Sequence, residues 1–225
     1  MLTSDSLFDK VEELLHKHRE RFYPPTETLS MFLSQAMSSD RSCQNSVNKS
    51  VTQRICGGLS IYSTKTGGYC RARKRLPEKM VSELTLHLGH LIDQQTTDSW
   101  RWKIRRVRIV DGTTVTMPDT PSNQARYPQQ NPQREGLGFR VVGITCLSSG
   151  ALLNAAVGPF KGKGGDEQTL VRSIQSTLEA GDVLIGDGYY SSYFFIASMQ
   201  AKVVDILMEK YGANRDTKEW APLNT

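Results

Sequence analysis

Asp111 closes the run Arg-Val-Arg-Ile-Val (106–110) and is followed by Gly112, while Asp187 closes a second apolar run, Asp-Val-Leu-Ile-Gly (182–186), and is followed by Gly188. The two carboxylates are 76 residues apart, each at the expected end of a strand. Aspartate has poor strand propensity, and an unpaired buried charge costs several kcal/mol, so a positive partner is expected beside them. Mg²⁺, with Mn²⁺ as its substitute, suits two such acids. It takes oxygen ligands, keeps several waters, and is commonly held by one or two carboxylates together with phosphate oxygens of a substrate. The alternative is that each Asp only opens a turn before glycine.

Two basic groups could meet the phosphates of such a substrate. Arg71, Arg73, Lys74 and Arg75 form the densest cationic cluster of the chain. They suit phosphate contact, and would equally suit a solvated helix start. Lys161 and Lys163 lie in Lys-Gly-Lys-Gly-Gly (161–165), where glycines permit close approach of backbone amides to a phosphate; a flexible strand-to-helix loop is the other reading. Tyr189, Tyr190 and Tyr193 could stack on exposed bases, although at least two of the three are expected in the core. Neither glycine-rich segment has the spacing of a nucleotide fingerprint, so ATP or NAD chemistry is not indicated.

The elements that must position these groups change character at Arg106. Before it the pattern is helical: residues 5–23, ended by Pro24-Pro25, then about 27–38, 42–55 and 78–96, with loops at Gly57-Gly58 and Gly67-Gly68. Residues 100–106 form a basic, aromatic-bearing connector. Beyond it the period is that of strands: 107–116, 138–147 and 151–157, the last two joined at Ser148-Ser149-Gly150. A helix over 166–179 with acids in its first turn follows, then a strand at 183–186, a helix at about 192–200 and a strand at 203–207. This predicts a β-β-β-α-β-α-β mixed sheet (106–225) behind an N-terminal α-helical domain (1–105). A right-handed crossover would lay the fourth strand parallel beside the first and bring Asp111 and Asp187 together.

Charge divides along the same line. Residues 1–106 carry 17 Lys+Arg against 11 Asp+Glu, and residues 107–225 carry 11 against 12. A basic front half suggests polyanion binding there and chemistry behind. Cys43, Cys56, Cys70 and Cys146 are spaced by 13, 14 and 76 residues, which fits neither structural zinc nor a small disulfide framework, so reduced thiols in a cytosolic protein are expected. No secretory signal is expected, because residues 1–10 hold Asp5 and Asp9 and no apolar core. The uncharged stretch 141–160 reaches membrane-span length, yet its glycines and Pro159 argue for a hairpin.

The ordered segments Val110-Asp111-Gly112-Thr113-Thr114-Val115-Thr116-Met117-Pro118-Asp119-Thr120-Pro121, Asn123-Gln124, Tyr127-Pro128-Gln129, Gly136-Leu137-Gly138-Phe139, Gly158-Pro159-Phe160-Lys161-Gly162-Lys163-Gly164, Gly181-Asp182-Val183-Leu184 and Asp187 to Phe194 resemble the DDE transposases of bacterial insertion sequences, of the IS-four type. The resemblance reaches back to Phe32-Leu33-Ser34-Gln35 and to Tyr69-Cys70-Arg71-Ala72-Arg73-Lys74-Arg75-Leu76-Pro77. It implies a ribonuclease-H-like fold, Mg²⁺ held by Asp111 and Asp187, double-stranded DNA as partner (element ends and target), a homodimer in the DNA complex, and a bacterial cytoplasmic, nucleoid-associated location. The third acid of that family is a Glu in a Tyr-x-x-Arg-x-x-x-Glu-x-x-x-x-x-x-Lys helix, a spacing that these 225 residues do not contain. The chain is therefore expected to stop short of it, to bind DNA, and to be inactive alone. Gly188 also departs from the resemblance, which commonly has Arg after this Asp. A catalytically silent DNA-binding remnant or regulator is the rival expectation.

Overall fold

A computed structural model describes Leu15 and residues 22–128, 137–160 and 164–209. The expected helix at 5–23 therefore lies outside the described residues, apart from Leu15 and its last two positions, and so do Lys161 and Lys163. The chain forms two compact units, Met1–Leu84 and Thr85–Thr225, and the boundary in sequence falls upstream of the composition change at Arg106.

The first unit is helical throughout its regular described structure: α1 (Pro25–Met37), α2 (Cys43–Cys56), α3 (Gly67–Arg73) and the start of α4 (Glu78–Gln95). Pro25 opens α1, where a missing N–H costs nothing, and Ser42 caps α2 by accepting from the Asn45 amide at 3.1 Å. Met31, Val47, Val51, Tyr62 and Tyr69 make its core. Glu27 crosses that core to the Tyr62 hydroxyl (3.2 Å) and Arg54 (3.5 Å). The expected Gly67-Gly68 loop is instead the first turn of α3. Glycine is a poor helix former, but the following Tyr69 is fully buried and Ala72 nearly so, and tertiary packing outweighs propensity over so short a helix.

The second unit runs α4, β1 (Val107–Met117), α5 (Pro121–Arg126), β2 (Leu137–Cys146), β3 (Leu152–Pro159), α6 (Glu167–Ile174), β4 (Val183–Gly186), α7 (Tyr193–Ala201) and β5 (Asp205–Met208). Its five strands form one mixed sheet in the order β3-β2-β1-β4-β5. β1, β2 and β3 pair antiparallel, and β1–β4 and β4–β5 pair parallel. The stretch 141–160 is the β2–β3 hairpin, turned where Gly150 takes a φ of +69° and donates to the Cys146 carbonyl at 2.8 Å. Among the described residues no helix is long and apolar enough to cross a membrane. Val110, Val142, Ile144, Leu153, Leu170, Val171, Ile174, Leu184, Phe195 and Met199 build the core, joining the sheet to α6 and α7. The helix expected to reach residue 179 becomes a 3-10 turn at Gln175–Thr177, and the short α5, capped by Thr120 with Pro121 behind it, adds one helix to the expected order.

Candidate active site

The position of Asp187 relative to Asp111 is set by strand register. β1 and β4 pair Val107 with Val183, Arg108 with Leu184 and Ile109 with Ile185, a constant offset of 76 residues. Asp111 and Asp187 have that same offset, each two residues beyond the last β1–β4 pair. Both are exposed. Asp111 Oδ1 accepts from the Gly112 amide at 2.8 Å, and Asp187 Oδ1 accepts from the Tyr189 amide at 2.9 Å. Neither forms an ion pair among the described residues, so both keep oxygen available to a cation.

Three arginines pin that register from the other end of the strands. Arg108 is buried on β1 and grips Asp93 of α4 with two hydrogen bonds, 2.6 and 2.8 Å, while its Nε stands 3.5 Å from Asp182, just ahead of β4. Arg106 reaches the same Asp182 (2.9 Å) and Glu179 (2.6 Å), and Arg105 pairs with Asp205 at the start of β5 (2.6 Å). Burial opposes ionisation of Asp93, but the hydrogen bonds and charge of Arg108 outweigh it and hold the carboxyl below its usual range. Sequence reasoning took 100–106 as a connector and missed this clamp. The signal was present in three cations bracketing the start of an otherwise apolar strand.

Glu167, the first residue of α6, was read only as a favourable acid at a helix start. In the fold its carboxyl carbon lies 2.5 Å from where a Cβ on residue 112 would stand. Glycine next to Asp111 is what lets Glu167 approach. Glu167 Oε2 accepts from the buried Tyr190 hydroxyl at 3.1 Å, and Oε1 lies 3.5 Å from Arg140 Nε. Tyr190 is held protonated first by burial, then by the fields of Glu167, Asp187 and Asp111. One phenol thus stands within electrostatic reach of all three acids. Tyr190 is core, whereas Tyr193 and its neighbour Phe194 are more than three-quarters exposed and meet edge to face.

In the first unit, Arg71, Lys74 and Arg75 are exposed. Arg73 turns inward: its Nη1 donates to Gln35 Oε1 at 3.2 Å and lies 3.4 Å from Cys43 Sγ, and its guanidinium covers the Phe32 ring. All four cysteines are free.

A mixed five-stranded sheet, with Asp111 on its central strand β1 and Asp187 directly after the neighbouring parallel strand β4, defines the second unit as an α/β fold. Residues 102–221 match the transposase DDE domain, and the chain belongs to that family. No curated protein matches the chain. Family membership implies an enzyme acting on DNA, and transposases of this family generally use divalent metal ions. The chemistry of Asp111 and Asp187 fits such an ion, though among the described residues no three His, Cys, Asp or Glu side chains are gathered closely enough to ligate one directly.

Proposed function

We propose that the chain is an insertion-sequence transposase of the IS-four type, with a ribonuclease-H-like catalytic domain behind a helical DNA-binding region. A complete protein of this type nicks DNA at the element ends with water and then directs the freed 3′-hydroxyl at target DNA, as a homodimer; these 225 residues lack the spacing that carries the third acid of that type and bind DNA without cutting it alone. The shared 76-residue offset of the strand pairing and of the two aspartates carries this reading. Asp111 and Asp187 would hold Mg²⁺, or Mn²⁺ in its place, through their carboxylate oxygens. The bound ions would activate the attacking oxygen and stabilise the leaving one. Tyr190 remains a neutral hydrogen-bond donor throughout, since burial and three nearby acids oppose its ionisation. Arg71, Lys74 and Arg75 meet DNA phosphates, as do Lys161 and Lys163, while Arg73 orders α3 from within.

Titration calorimetry with Mn²⁺ on the wild type, Asp111→Asn and Asp187→Asn tests the centre. Binding by the wild type and its loss in both variants is expected, and equal binding by all three refutes the assignment. The absence of the spacing Tyr-x-x-Arg-x-x-x-Glu from these 225 residues favours a second reading, a DNA-binding regulator without catalysis. Metal-dependent nicking of supercoiled plasmid that vanishes in Asp111→Asn would exclude it.

A further inference from the structure

Cys43 and Cys70 meet inside the first unit, in a setting that core packing alone does not require. Cys43 is the first residue of α2, directly after the Ser42 cap, and is half-buried, as is Cys70 on α3. Two donors aim at the Cys43 sulfur: Arg73 Nη1 at 3.4 Å and Gln35 Nε2 at 3.7 Å. Gln35 is itself held, donating to the Arg41 carbonyl at 2.6 Å and accepting from the Tyr69 hydroxyl at 2.7 Å. The Cys70 thiol shares a hydrogen bond with Cys43, and burial first, then that neighbour, holds its pKa above the usual thiol range. Cys70 also lines an open cavity of about 520 Å³ with Phe32, Arg73, Lys74 and Leu76, which gives a small solute access to the pair. The other two cysteines stand apart from this arrangement, Cys56 exposed at the end of α2 and Cys146 buried at the end of β2.

We propose that Cys43 and Cys70 form a thiol oxidation site, closed to a disulfide by a hydroperoxide. The Cys43 sulfur attacks one peroxide oxygen. A sulfur–oxygen bond forms, the oxygen–oxygen bond breaks, and the other oxygen leaves with the thiol proton, as water or, from an organic peroxide, as an alcohol. Arg73 faces this sulfur with positive charge, and reactive cysteines occur in just such electropositive, partly exposed surroundings. Cys70, its neighbour, then attacks the sulfur of the Cys43 sulfenic acid. The sulfur–sulfur bond forms, the sulfur–oxygen bond breaks, and the hydroxyl leaves as water with the Cys70 proton. Across both steps the sulfurs lose two electrons and the peroxide takes them up. The new bond ties the first turn of α2 to α3, the helix that carries Arg71 and runs into Lys74 and Arg75.

The test treats the reduced full chain with stoichiometric hydrogen peroxide, alkylates the thiols that remain, and reads the peptides by mass spectrometry without reduction. The expected result is a cross-linked peptide joining Cys43 to Cys70, with both thiols lost together ahead of Cys56, and both restored by dithiothreitol. This measurement needs no variant to fold. In Cys70→Ser the reaction should stop at a Cys43 sulfenic acid that dimedone captures, and in Cys43→Ser the Cys70 thiol should stay open to alkylation. Alkylation of Cys43 and Cys70 after Cys56 has been consumed overturns the proposal, as does a cross-link from either of them to Cys56 in place of the pair. Dimedone capture at Cys70 of Cys43→Ser, with none at Cys43 of Cys70→Ser, overturns the order of attack.

Discussion

Replacing Asp93 by Asn isolates the Arg108 clamp. The carboxylate and the guanidinium are both buried, the Arg108 side chain being only 4% exposed, and the substitution removes one of the two hydrogen bonds and all of the charge. Breaking a buried pair costs about 3–5 kcal/mol, because the partner is left desolvated. Asp182 still stands 3.5 Å from Arg108 Nε, which places the loss at the lower end, about 3 kcal/mol. For a unit of this size each kcal/mol moves the melting point by about 2–4 °C, so calorimetry should show a fall of roughly 6–12 °C. A buried pair is little screened, and the fall should persist in molar salt. A midpoint within about 2 °C of wild type would refute the claim that this pair holds α4 to the sheet.

Acid should act through the same group. Asp93 and Asp166 both have carboxyls held below their usual range, Asp93 by Arg108 against the opposing effect of burial and Asp166 chiefly by the Thr169 hydroxyl and amide. Their contributions are fully present above about pH 5 and are lost as the pH falls through their depressed folded values, so melting curves should be flat near neutrality and descend below about pH 4. Asp166→Ala should cost about 1 kcal/mol at neutral pH and flatten part of that descent. Reversing the charges of Arg71, Lys74 and Arg75 should weaken duplex DNA binding and lower the log–log salt slope by roughly 0.9 per lost phosphate contact, measured by fluorescence anisotropy.

The strands were legible because Val107 to Thr116 and Val183 to Gly186 are β-rich, a local pattern that needs no knowledge of the fold. Asp187 follows directly on the second run as expected, whereas β1 runs on through Asp111 to Met117, so the strand end expected at Asp111 is not there. The start of α3 was hidden because Gly67 and Gly68 signal a loop, and only the burial of Tyr69 and Ala72 overrides them. Glu167 was hidden for a different reason. Its meaning lies in contact with Gly112, far off in sequence, and a missing side chain leaves no periodicity to detect. Residues 105–108 looked like a charged approach to a strand because their acidic partners, Asp93, the turn holding Glu179 and Asp182, and Asp205, come from three separate places in the chain.

Parallel pairing of β1 with β4 divides the chain between the two aspartates into parts that tolerate length change and parts that do not. Residues added between the end of β1 and β2, or between β3 and α6, lengthen connections that take no part in the β1–β4 pairing, and Asp111 stays level with Asp187. A single residue added between Ile109 and Asp111, or between Ile185 and Asp187, shifts one carboxylate by a strand step and turns it to the opposite face. Chains with this plan are therefore free to vary the distance in sequence between the two acids, provided that each remains two residues beyond the last position paired between β1 and β4.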